Sequence, residues 1–152
     1  MKDKFILILI RYLFLVLIAF PNLYLFYAIF TPLTIYPVYF LLNLFFDASL
    51  SGISIFINNL EITLIGACIA GAGYYLLTIL SFSIPMEYKK RIKLVLSGFG
   101  MFLGLNILRI FILSLMAIYE LSSFDITHKV LWYGLSTIFV VGIWFLNVKI
   151  FN

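Results

Sequence analysis

Apolar residues along this chain do not alternate with polar ones; they run in long blocks separated by short polar segments. Residues 5–30 form the first block, which carries Arg11 and is interrupted by Pro21, and residues 32–46 form a second that ends at Asp47. After a mixed segment, 47–61, three further blocks occupy 62–84, 94–118 and 126–148. An α-helix rising about 1.5 Å per residue crosses a hydrocarbon core of about 30 Å in about 20 residues, so each of the last three predicts one crossing. The first block exceeds a straight crossing and must tilt, kink or divide, and the second is short for one. Within 47–61, small polar residues and a loose alternation around 53–57 predict a short extracytoplasmic loop or hairpin before the next helix. The pattern as a whole predicts an all-α fold: a polytopic transmembrane helical bundle of about five spans, forming a single integral membrane domain over residues 1–152.

Composition strengthens that reading. The chain is 65% hydrophobic and 11% charged, against about 45–50% and about 25% in soluble domains, so too little polar material is present to cover a water-facing surface. Lys2-Asp3-Lys4 ahead of an apolar run resembles the start of a signal peptide, but the run is long and no small-residue cleavage site follows, which favours a retained helix. The net charge of +4 is too sparsely distributed to predict a nucleic-acid partner. It reports orientation, because cytoplasmic loops are enriched in Lys and Arg. The densest basic cluster, 87–93, contains Lys89, Lys90, Arg91 and Lys93 and is assigned to the inside, together with Lys149. Segments 47–61 and 120–125 then fall outside, and they contain Asp47, Glu61, Glu120 and Asp125 with no Lys or Arg. If both of the first two blocks cross, the N-terminus lies outside; if one crosses, it lies inside.

Ionisable groups inside a span are costly and mark candidate function. Arg109 lies roughly 13 Å of helix from the outer end of its block, and Asn106, three residues earlier, shares its face. The sole cysteine, Cys68, sits roughly 9 Å inward from the outer start of its helix, among Gly66, Ala67, Ala70, Gly71 and Gly73. The sole histidine, His128, begins the last block at the same face. Each has a plain structural alternative: Arg109 as a snorkelling or helix-tying residue, Cys68 as a small hydrophobe in a close-packing stripe, His128 as an interfacial polar group. Their joint placement in the outer leaflet on consecutive helices is chemically coherent. Neighbouring cations stabilise a thiolate against apolar burial, a histidine can protonate a leaving amine, and an arginine can bind an acyl-transfer oxyanion. Asn106 is expected to orient Arg109, and Glu61 or Asp125 to tune the charge nearby. One His and one Cys with distant acids do not form a usual zinc set, and no metal or other cofactor is expected.

The polar segment before Ala67-Cys68, the helix bearing Asn106 and Arg109, and the helix bearing His128 resemble the exosortase and archaeosortase family of membrane-embedded cysteine transpeptidases. The resemblance covers about residues 32–144 and includes the order Cys, Arg, His and the intervening inside loop. It implies Cys68 as nucleophile, Arg109 as its partner and His128 as the third catalytic group. It also implies substrates that are secreted proteins with a C-terminal tripartite sorting signal of short motif, hydrophobic helix and basic tail. Transfer to a membrane lipid or other surface acceptor would follow, at the extracytoplasmic side of a multi-pass cell-membrane protein. After the Cys many family members carry Thr or Ser and then Gly, whereas this chain reads Ile69-Ala70-Gly71. The reading from a different class is a non-enzymatic membrane scaffold or small transport subunit, with Arg109 and Asn106 as interhelical ties.

Overall fold

A computed structural model describes residues 2–20 and 23–151. The first apolar block divides, one of the outcomes its length allowed. Helix α1 (Lys2–Ala19) ends before the break, and α2 (Tyr24–Asn43) begins after Leu23, whose φ of 60° turns the chain into the left-handed region. Pro21, the expected break point, lies outside the described residues. The boundary expected between 30 and 32 is absent, because α2 runs through both Pro32 and Pro37 as one helix. Proline removes one ladder hydrogen bond but is tolerated in long apolar helices whose neighbours and local adjustments re-satisfy the freed carbonyls. Phe26, Phe30, Thr34, Ile35, Val38 and Leu42 form the buried face of α2, at the three- and four-residue spacing of one helical stripe.

The fold is mostly helical but not all-α. The segment expected as a loop or hairpin is a three-stranded antiparallel meander of β1 (Ala48–Ser51), β2 (Ser54–Ile57) and β3 (Leu60–Thr63). Both connections are two-residue turns, closing the pairs Ser51 with Ser54 and Ile57 with Leu60. Such turns need positive φ, which Gly52 at 61° and Asn58 at 52° supply. Ile55 and Ile57 are buried against Val38, Leu42 and Ile110, while Phe56 between them faces out. That alternation continues into β3 and takes the first residues of the block expected to be helical from 62.

The next helical segment begins at Gly66, as a single turn, α3 (Gly66–Ile69), followed by α4 (Gly71–Ser83). Helix α5 (Tyr88–Ile118) returns to the sheet, α6 (Phe124–Lys129) crosses its end, and a wider π-type turn over Val130–Leu135 leads into α7 (Ser136–Phe151). Three segments are long and apolar enough to cross a membrane, Tyr24–Asn43, Gly66–Ser83 and Tyr88–Ile118. A fourth is reached if the α6–α7 pair, bent by 44°, counts as one span. Among the described residues, length and composition thus give three or four candidate spans beside the expected five, and the apolar part of α1, Ile8–Ala19, is shorter than a full crossing.

Two apolar clusters hold the bundle. Near its middle, Phe30 stacks on Tyr74 with ring centroids 3.5 Å apart, Phe99 and Phe102 pack edge-on against that pair, and Phe26 lies nearly parallel to Phe30 and edge-on to Phe99. The other lies under the sheet, where Ile35, Val38 and Leu42 meet Ile55, Leu64 and Ile110. The small residues of 66–73 admit aromatic rings, not a neighbouring helix backbone. The Tyr27 ring covers Gly66 and Gly71, and the Phe102 ring covers Gly73. A Cβ on Gly73 would overlap the Phe102 ring, whereas one on Gly100 meets nothing within 4 Å. Gly73→Ala is therefore expected to destabilise the protein by about 1–3 kcal/mol through overpacking. Gly100→Ala should change stability by less than about 0.5 kcal/mol or raise it. Unfolding in detergent measures the difference.

Candidate active site

The cysteine-bearing segment is not a continuous helix. After the single turn of α3, Ala70 adopts φ 59° and ψ 41°, a left-handed conformation that costs a non-glycine residue about 1–2 kcal/mol. The chain then restarts as α4. A break of this kind leaves the last carbonyls of the preceding turn without their helical donors. Asn106 supplies a donor from α5: its Nδ2 donates to the Cys68 carbonyl at 2.9 Å and more weakly to the Ile69 carbonyl at 3.4 Å. Asn106 is 4% exposed, so these bonds form where water does not compete. The carboxamide therefore fixes the backbone of the cysteine.

The break also turns Cys68 toward the sheet end of the bundle. Its side chain is half-buried and is a free thiol. It lines a cavity of about 230 Å³ together with Arg109 and His128. Three elements thus contribute to one space: α3 the thiol, α5 the guanidinium and α6 the imidazole. Ile62, Leu64, Ile110 and Leu113 give the cavity apolar walls, and Ser114 adds a hydroxyl.

Arg109 is 8% exposed and stands between this cavity and a second one of about 280 Å³. The second is walled by Tyr27, Ala67, Gly73, Leu76, Phe102 and Trp132, among others. The Arg109 guanidinium lies 5.7 Å from the centroid of the Trp132 ring, a cation–π contact. Trp132 also borders His128 edge-on at 6.3 Å, and Phe124 stacks on the other side of the imidazole at 5.7 Å with an interplanar angle of 25°. Phe124, His128 and Trp132 are spaced four residues apart, so successive turns place the imidazole between two aromatic rings. The same indole therefore touches both cationic candidates.

Of the residues singled out in the sequence, Cys68, Arg109 and His128 line the common cavity and Asn106 supports it from behind. Glu61 and Asp125 do not line it. Glu61 is exposed on β3 and accepts a hydrogen bond from Thr63 Oγ1 at 3.2 Å, and Asp125 is exposed in the first turn of α6. Sequence reasoning missed Trp132, although its position four residues after His128 placed it on the same face. It also missed Tyr27, for which no local pattern existed.

Replacing Asn106 with Leu keeps the volume but removes the donor to two buried carbonyls, and is expected to lower the unfolding free energy by about 1–3 kcal/mol. It should also change the alkylation rate of Cys68, which quantitative labelling of folded protein reads directly. No protein-family model matches the chain, and no curated protein or solved structure matches it either.

Proposed function

We propose that this chain is a multi-pass cell-membrane cysteine peptidase and transpeptidase with its active site at the sheet end, on the extracytoplasmic side. The observation that carries the reading is the single cavity lined by Cys68, Arg109 and His128. Membrane placement is supported by the apolar helices and by their outward faces, where Leu25, Ile29, Tyr36, Phe40, Leu108 and Phe145 are exposed. Sidedness is supported by the contrast between the basic α4–α5 end, with Lys89, Lys90 and Lys93 exposed, and the sheet end, with Asp47, Glu61, Glu120 and Asp125 exposed.

In this mechanism the hydrophobic C-terminal helix of a secreted protein docks laterally and presents its short sorting motif at the sheet end. His128 takes the thiol proton, and the Cys68 thiolate attacks the scissile carbonyl carbon. The tetrahedral intermediate carries its negative charge on the former carbonyl oxygen, which Arg109 stabilises. As that intermediate collapses the C–N bond breaks, and His128 gives its proton to the departing amine. A thioester on Cys68 remains. An acceptor amine attacks it to form the new amide and release the thiol, or water attacks it to give the free acid. Asn106 acts as a positioning residue through the Cys68 carbonyl. The resemblance to exosortases and archaeosortases supports transfer, with a membrane lipid among the acceptors.

The test is processing of a secreted reporter bearing a tripartite C-terminal signal, followed by mass spectrometry in membranes containing the full chain. Cys68→Ala should abolish processing while membrane insertion is retained. Arg109→Gln should slow it by about 10²–10³-fold and His128→Ala by about 10²–10⁴-fold. Unchanged processing by Cys68→Ala would overturn the enzyme reading in favour of a scaffold, and full activity of His128→Ala would remove its proton-transfer role. The product mass distinguishes transfer from hydrolysis.

A further inference from the structure

At the basic end of the bundle, far along α4 from Cys68, a separate cavity of about 280 Å³ lies between α1 and the close of α4. Arg11, Tyr12 and Ser83 give it one guanidinium and two hydroxyls, and Leu15, Phe82 and Pro85 give it an apolar wall. Among the described residues no acidic side chain lines it. A second guanidinium stands next to that wall: Arg91 lies 5.4 Å from the centroid of the Phe82 ring and is 6% exposed. Arg91 Nη2 donates to the Ile84 carbonyl at 2.9 Å and to the Met86 carbonyl at 3.3 Å, while its Nε is buried with no hydrogen-bond partner among the described residues. Arg11 and Arg91 are close enough for their charges to act on one another.

Two like charges drawn into one partly desolvated corner repel, and an anion placed between helix and loop reverses the sign of that interaction. Of the neighbouring basic cluster, Lys89, Lys90 and Lys93 remain exposed and add positive potential at the same end. The Ser83 hydroxyl donates to the Ile79 carbonyl at 2.8 Å, so the Arg11 guanidinium and the Tyr12 hydroxyl are the donors, and beside an apolar wall they fit an amphiphile with a charged head more closely than a small ion. Arg forks match phosphate oxygens in geometry as well as in charge.

We infer that the corner formed by Arg11, Tyr12 and Phe82, backed by Arg91, binds the phosphodiester headgroup of an anionic phospholipid, with an acyl chain along Leu15 and Phe82. The site rests on the membrane placement proposed above and is independent of the chemistry at Cys68. Its effect is to anchor α1, which buries little else among its described residues than Leu15, to the α4–α5 end.

The full chain in nanodiscs of phosphatidylcholine, with and without a minor fraction of phosphatidylglycerol, provides the test, with retained lipids identified by native mass spectrometry. Phosphatidylglycerol should be retained in preference to phosphatidylcholine, and Arg11→Gln should reduce that retention about five- to tenfold. Arg11→Lys should restore much of it, and Cys68→Ala should leave it unchanged. Equal retention of the two lipids, or undiminished phosphatidylglycerol on Arg11→Gln, would overturn the site. So would complete displacement of the lipid by inorganic phosphate, since the ligand would then be the free ion. A chain recovered outside membranes would overturn the placement itself, which separates failure of this site from failure of the reading beneath it.

Discussion

Everything around the candidate site depends on one carboxamide reaching across from α5 to a broken helix. Ending α3 at Ile69 exposes carbonyls that an uninterrupted helix would have satisfied, and an apolar interior supplies no water to replace those donors. The Asn106 amide meets the Cys68 and Ile69 carbonyls, so the left-handed turn at Ala70 persists where it would otherwise be doubly unfavourable. A straight helix would have run on from Cys68 into α4 along one axis. The break frees one turn to face the sheet instead, and the thiol goes with it. In this fold a hydrogen bond to the backbone, not a contact to the sulfur, determines where the sulfur points.

Burial of Arg109 follows a related logic. A guanidinium inside an apolar bundle needs an environment that offsets its lost hydration. The Trp132 face contributes through its quadrupole, and the two flanking cavities leave space on either side of the charge. Because Trp132 also borders His128, the side chain that accommodates the arginine helps hold the imidazole. Accommodation of the charge and orientation of the ring are thereby coupled through a residue with no reactive group.

The two ends of the bundle are built differently. At the sheet end, the meander covers the cluster of Ile55, Ile57 and Ile110 and closes over the cavity of the candidate site. At the opposite end, Arg91 folds back to bind the carbonyls of Ile84 and Met86, which fixes the short connection into α5. A basic cluster read as a plain loop therefore contains one member that acts structurally, and the exposed lysines around it retain the charge.

Length and apolarity in the sequence sufficed to identify α5 and the helical character of the bundle, because a long block with few charges has few other ways to satisfy its backbone. The residue types were equally legible: a lone thiol, a deep guanidinium and a lone imidazole in order along the chain. Segment boundaries were not. The division expected between residues 30 and 32 is one that tertiary packing overrides, and the alternation that forms β3 was hidden in a stretch apolar enough to pass for helix. That Asn106 shares a helix face with Arg109 was legible within one segment, whereas the carbonyls it bonds lie 38 and 37 residues away and were not. What the sequence determined by itself was the solvent the chain suits and the chemistry it carries. The tertiary structure decided which groups meet, because the break at Ala70 and the rings of Tyr27 and Trp132 act between segments whose separation along the chain leaves no local pattern to read.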